Sequence, residues 1–169
     1  MKIGIIGAEN SHTAAIAKAL NVKKAVRGFT VDYVWGETDP FVRKAAKTGK
    51  IPNIVSKPGD MLGKIDALIV DHRHTKYHLK PALPYVRAGI PAFIDKPFCY
   101  RASEGKAFLQ IARKQKTPVT SFSVVPHQKS FIAFTKKLAK LGPIKAGHTW
   151  GACDLNSPWG GVFFYGIHQ

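Results

Sequence analysis

Cysteine and acid are the scarce residues of this sequence. Only two cysteines occur, Cys99 and Cys153. They stand far apart, match no metal-binding spacing, and read as free thiols of a reducing compartment. No apolar run approaches the roughly 20 residues of a membrane span. Met1-Lys2 leads at once into Ile3-Gly4-Ile5-Ile6-Gly7, too short for the apolar core of a secretory leader. The expected location is therefore cytoplasmic, with no membrane partner. No internal repeat or low-complexity tract is present.

The ten acidic residues face 26 basic ones, a formal net charge of +16. Such a charge suits nucleic acid or an anionic surface. The basic residues are dispersed, however. Lys23, Lys24 and Arg27 form one group, Arg43, Lys44, Lys47 and Lys50 another, Arg113, Lys114 and Lys116 a third, and Lys136, Lys137 and Lys140 a fourth. Each lies near the end or on the polar face of a predicted helix, where the macrodipole favours cations. No basic-aromatic alternation accompanies them. Solvated helix faces account for them better than a nucleic-acid surface.

What is present is an alternation of strand and helix signals. Strands are expected at Lys2–Gly7, Thr30–Gly36, Asn53–Val55, Asp66–Asp71, Pro91–Asp95 and Pro118–Ser121. Helices are expected at Ser11–Asn21, Pro40–Thr48, Lys76–Ala88, Ala102–Gln115 and His127–Leu141, with a helical turn at Pro58–Leu62. Asn10 or Ser11 would cap the first helix. Gly49 would follow the end of the second, and Gly142-Pro143 would stop the last. Strands separated by helical segments argue for a parallel, doubly wound α/β sheet. Right-handed crossovers then bring every strand-to-helix turn to one edge. That edge would carry Gly7–Ser11, Glu37–Asp39, Asp71–His74 and Asp95–Lys96. After Pro143 the pattern changes. Ile144–Gly151 looks like a strand, and Pro158–His168 is almost wholly apolar and aromatic.

The octapeptide at residues 91–98, PAFIDKPF, carries the most function. An apolar strand delivers Asp95 and Lys96 to its C-terminal end, and Pro97 stops it. Ligands of open α/β sheets bind at the carboxyl ends of strands. A lysine there can give a proton to a developing alkoxide, because burial and neighbours lower its pKa from about 10.4. On these residues alone, a surface lysine on a turn before a loop is the commoner reading. His72, His74 and His78 form H-x-H-x-x-x-H. Imidazoles bind zinc, but this spacing lacks the helical pair with an intervening glutamate. No metal is expected; loop and cofactor-edge contacts fit better.

Taken together, the segments KIGIIGAENSH, DALIVDHRHTKYH and FIDKPF, with a weaker GGVFFYGIH at the end, resemble the glucose–fructose oxidoreductase / inositol dehydrogenase family, Gfo/Idh/MocA. The resemblance spans the chain, which is only about half the usual family length. It implies a Rossmann dinucleotide-binding domain over residues 1–142 and the truncated start of an α+β substrate domain over residues 143–169. It implies NAD-dependent oxidoreduction of a hydroxyl/carbonyl pair on a sugar, polyol or related small molecule. Lys96 looks like the family lysine beside the nicotinamide, and His168 like the family's catalytic histidine. His78 matches a histidine that is structural in the family. Gly7, Ala8, Asn10, Ser11, Glu37, Asp71, His72, His74, Asp95 and Lys96 would line the cofactor. The implied partners are a small-molecule substrate and either a second copy or a second chain completing the site.

The departures are specific. The G-x-G-x-x-G fingerprint relies on a tight turn, close backbone approach to pyrophosphate and close helix packing. Here the frame reads Gly7-Ala8-Glu9-Asn10-Ser11-His12, and only Gly7 survives. A carboxylate ~4 Å from a phosphate charge costs up to about 4 kcal/mol at an effective dielectric near 20, so Glu9 must turn away or affinity suffers. Glu37, thirty residues after Gly7, suits a ribose hydroxyl pair and repels a 2′-phosphate, favouring NAD over NADP. Phe164 stands four residues before His168, where the family often has aspartate. A non-catalytic nucleotide-binding or partner-binding remnant of such an enzyme is the alternative expectation.

Overall fold

The computed structural model describes residues 1–151 and 154–158. Cys153, Phe164 and His168 lie outside the described residues. Six parallel strands build the sheet: β1 (Lys2–Ile6), β2 (Thr30–Trp35), β3 (Asn53–Ile54), β4 (Ala67–Val70), β5 (Ala92–Ile94) and β6 (Val119–Thr120). Their order is β3-β2-β1-β4-β5-β6. The order reverses between β1 and β4, the switch point at which a crevice opens beyond the strand ends. This is the doubly wound Rossmann architecture expected from the alternation.

The central strands are buried on both faces, and their side chains divide between two layers, a register shift in the β1–β2 pairing putting Val31 and Val34 on the same face. Ile6, Leu68, Val70 and Ile94 face one core layer, with Tyr85 and Val86 of α3 (Leu79–Arg87) and Phe108 of α4 (Ala102–Lys114). Ile3, Ile5, Val31 and Val34 face the other. Ala17 of α1 (Ser11–Ala17) and Val42 and Ala45 of α2 (Asp39–Gly49) close that second layer. Full burial of each large apolar side chain stabilises by about 1.5–3 kcal/mol. Both layers depend on right-handed crossovers carrying helices to opposite faces.

Several boundaries differ from expectation for physical reasons. α1 is capped by Asn10, whose side chain accepts from the His12 N–H, and it continues as a wider π-turn over Lys18–Val22. Gly49 lies inside α2 rather than after it. A Cβ there would stand 2.3 Å from the Ala17 Cβ, so the close α1–α2 approach selects glycine. The left-handed cap falls to Lys50 at φ +49°. The helix expected from Lys76 starts as a short 3-10 turn at Thr75–Tyr77, and α3 accommodates Pro84 internally.

Beyond β6 none of the described residues is buried. α5 (Lys129–Leu138) buries none of its residues and is flanked by 3-10 turns at Val125–His127 and Ala139–Leu141. The strand expected at Ile144–Gly151 does not form; that segment is irregular and exposed, with Trp150 at 87 %. Apolar patterning marks a strand only where a sheet edge can take its N–H and C=O groups. Here the chain has left the sheet at β6.

Candidate functional site

The C-terminal ends of β1, β2, β4 and β5 meet on one edge, and their turns carry the polar residues. Gly7 follows β1 with φ +106°. A Cβ at this position would lie 2.6 Å from the His72 backbone N. Two turns therefore touch backbone to backbone, which only glycine permits. Ala8 is buried beside it, and Ser11 begins α1.

Glu9, expected to face a phosphate, is engaged elsewhere. Its Oε1 accepts from the Thr38 backbone N–H at 2.8 Å and from the Thr38 hydroxyl at 3.2 Å. Its Oε2 accepts from the Ala8 N–H at 3.1 Å. The carboxylate thus ties the β1 turn to the start of α2, and occupies two backbone donors. Glu37 is also held: the buried His72 Nε2 lies 3.0 Å from Glu37 Oε1. Burial, with the neighbouring His78, pushes the His72 pKa down to about 3. The ring is neutral and donates Nε2–H to the carboxylate. Its Nδ1 is buried with no hydrogen-bond partner.

The H-x-H-x-x-x-H trio does not converge on one point. His74 caps the following 3-10 turn, its Nδ1 accepting from the Lys76 N–H at 3.2 Å. It packs edge-on against Tyr77 and Tyr100. His78 is fully buried, with Nδ1 3.0 Å from the Pro97 carbonyl and Nε2 2.8 Å from the His72 carbonyl. The neutral ring donates its one N–H to one of these carbonyls and packs against the other, so it lies between the turns after β4 and β5. Burial lowers its pKa.

The convergence lies instead around Asp95. Asp95 and Lys96 follow β5 and are both buried. Asp95 Oδ2 accepts from Asn10 Nδ2 at 3.3 Å and stands 3.1 Å from His12 Nδ1. His12 Nδ1 is also 3.7 Å from Asp71 Oδ1. The Asp95 hydrogen bond raises the His12 pKa, against an opposing effect of burial. Thr13 donates to the Gly7 carbonyl, and its Oγ1 lies 2.7 Å from Asp71 Oδ2. One hydroxyl proton faces two acceptors, so the Asp71 carboxyl is best held when it carries a proton itself. Burial indeed pushes the Asp71 pKa up to about 8. Burial lowers Lys96 below the usual lysine range, partly offset by Asp95 and Asp71. A buried ammonium of this kind gives up its proton more readily than a solvated one.

Beside this cluster opens a cleft of about 830 Å³, lined among others by Asn10, His12, Arg73, Phe93, Lys96 and Phe122. The sequence-based site residues from all four turns are on this edge, except that His74 turns to its own aromatic neighbours. His12 and Thr13 were not among them. The signal for His12 was its place at the third glycine of the fingerprint, where a side chain must be aimed somewhere.

Over residues 1–122 the sequence matches the family described as an oxidoreductase family with an NAD-binding Rossmann fold. The chain belongs to the Gfo/Idh/MocA family. Solved structures agree in fold. Biliverdin reductase from Synechocystis sp. PCC 6803, in complex with biliverdin and NADP+, superposes with a TM-score of 0.70 at 20% identity, covering 84% of this chain and 44% of that one. A Gfo/Idh/MocA oxidoreductase from Vibrio cholerae gives 0.64 at 19% identity, over 83% and 44%. Scyllo-inositol dehydrogenase from Lactobacillus casei, with NAD(H) and scyllo-inositol, gives 0.67 at 18% identity, over 86% and 42%. The chain thus spans less than half the length of these structures. A comparison with curated proteins finds no match.

Proposed function

We propose that this chain is the dinucleotide-binding half of an NAD-dependent oxidoreductase acting on a sugar, polyol or related hydroxyl/carbonyl compound. The single observation that carries the reading is Lys96. It is buried beside Asp95 at the C-terminal end of β5, on the same sheet edge as the Gly7 turn and facing the cleft. The family supplies the cofactor class. When bound, NAD supplies the hydride acceptor or donor.

The residues present fit a dinucleotide. Gly7 gives the tight turn and close backbone approach, and the turn after β2, Gly36-Glu37-Thr38-Asp39, carries no lysine or arginine to favour a 2′-phosphate. Gly7, Ala8, Asn10 and Ser11 would border the pyrophosphate. Glu37, oriented by His72, would take the ribose hydroxyls and favour NAD over NADP. Asp71, His72 and Asp95 would line the nicotinamide side. Lys96 would hold a proton at the substrate's reacting oxygen, and the lowering of its pKa by burial eases exchange of that proton. His168 would complete the acid/base pair. It belongs to residues 143–169, which we assign to the beginning of a substrate domain that a second copy or a second chain completes. A cytoplasmic location goes with this reading. Among the described residues no helix is long and apolar enough to cross a membrane.

One specific observation favours the alternative, a non-catalytic nucleotide-binding or partner-binding relative. Glu9 occupies the Ala8 and Thr38 N–H groups, and His12 replaces the third glycine. Calorimetric titration with NAD and NADP, followed by a turnover screen over polyols and sugars, separates the two. NAD binding with turnover lost in Lys96→Met supports the enzyme. NAD binding with no turnover supports the relative. Tighter binding of NADP overturns the role given to Glu37.

A further inference from the structure

We propose that His12, Asp71 and Asp95 form a binding site for a divalent transition-metal ion of the zinc type. The proposal stands on these three side chains and does not depend on the dinucleotide reading. Each donor comes from a different strand-to-helix turn, after β1, β4 and β5. Their ligating atoms all lie within 4.8 Å of one another. His12 Nδ1 is 3.1 Å from Asp95 Oδ2 and 3.7 Å from Asp71 Oδ1. A tetrahedral ion with ligands at about 2.0–2.1 Å sets them about 3.3–3.4 Å apart. The two distances bracket that value.

A second observation points to a ligand. Asp71 is 1% exposed, and its Oδ1 has no hydrogen-bond partner while lying toward His12 Nδ1. An ionised Asp71 with no partner at this oxygen would cost at least about 1–3 kcal/mol, and a cation between the three donors would remove that cost by taking the place of the carboxyl proton. Neighbouring groups already orient the donors. Asp71 Oδ2, the oxygen turned away from His12, is held at Thr13 Oγ1, and the ligating Asp95 Oδ2 itself accepts from Asn10 Nδ2. Such outer hydrogen bonds fix ligand orientation in metal sites. His12 remains 41% exposed, which leaves the fourth coordination position open to the cleft. One imidazole nitrogen and two carboxylates suit Zn2+ or Co2+. Ca2+ and Mg2+ call for six or more oxygens.

The test uses the full chain, stripped with chelator and titrated calorimetrically with Zn2+ alone. Co2+ serves as a visible-absorption probe. One equivalent of Zn2+ should bind with a Kd of about micromolar or tighter, and Co2+ should give visible bands of a four- or five-coordinate site. Asp71→Asn keeps the Thr13 contact and should weaken binding at least about a hundredfold, as should His12→Gln. His148→Gln, on the exposed C-terminal segment, should leave binding unchanged. If Asp71→Asn fails to fold by circular dichroism, the half-exposed His12→Gln decides. Absence of Zn2+ binding at about 0.1 mM, or binding undiminished in the variants that fold, overturns the proposal. Loss of NAD binding would leave it standing.

Discussion

Replacing Glu9 by glutamine removes one charge from the turn that would meet a pyrophosphate, and keeps the shape. Two effects follow in opposite directions. The Glu9 carboxylate accepts from the Thr38 N–H and hydroxyl and from the Ala8 N–H. Thr38 is the N-cap of α2 and has no side-chain cap of its own, so Glu9 supplies an anion to that helix start. Weakening these charge-assisted bonds should cost about 1 kcal/mol, a drop of a few degrees in Tm. Nucleotide binding should move the other way. At an effective dielectric near 20, relief of repulsion is about 2 kcal/mol for a phosphate ~8 Å away and about 4 kcal/mol at ~4 Å. The smaller figure corresponds to about a thirtyfold lower Kd for NAD. Screening reduces it further, since the Debye length at 0.1 M salt is about 10 Å. Calorimetry at low and moderate salt, with thermal unfolding on the same samples, reads both effects. An unchanged or weaker NAD affinity in Glu9→Gln, at either salt, would refute the electrostatic account of the altered fingerprint.

Other outcomes follow from the same geometry. Gly7→Ala should destabilise the fold by more than about 2 kcal/mol in chemical denaturation, because φ is +106° and the new Cβ would lie 2.6 Å from the His72 backbone N. His72 has a folded pKa of about 3 against an ordinary 6.5. Its contribution to stability is fully present above the unfolded value and is lost as pH falls from there toward the folded one, because the unfolded state alone takes up the proton. The expected slope is about 1.4 kcal/mol per pH unit, about 2 kcal/mol by about pH 5. Unfolding curves for His72→Asn should lack that slope, and an equal slope in the variant would sink the assignment. A chain ending at Leu141 should keep cooperative unfolding, since no residue of α5 is buried. It should also lose any self-association that the full chain shows in sedimentation.

The doubly wound sheet was legible because its strands and helices alternate at clean spacing, and parallel topology alone brings residues 7–11, 37–39, 71–74 and 95–96 to one edge. Lys96 was legible for the same reason. Side-chain direction was not. The fingerprint template describes position 12 as a missing glycine, and says nothing of an imidazole reaching a carboxylate that follows β5. Nor does it foresee Glu9 turning to Thr38. The histidine trio invited a common role because it is close in sequence. In the fold, His72 reaches Glu37, His74 caps a turn and His78 lies between two carbonyls. The misplaced strand at Ile144–Gly151 has a different origin. Apolar content indicates what could pair, and only the fold decides whether an edge is there.

Hydrogen–deuterium exchange of the full chain, with and without saturating NAD, tests the central claim most directly. The account predicts slowed exchange in peptides covering residues 7–12, 71–74 and 95–97, at the C-terminal ends of β1, β4 and β5, with α4 unchanged. No protection on that edge at millimolar NAD, or protection confined to α4 or α5, would contradict it.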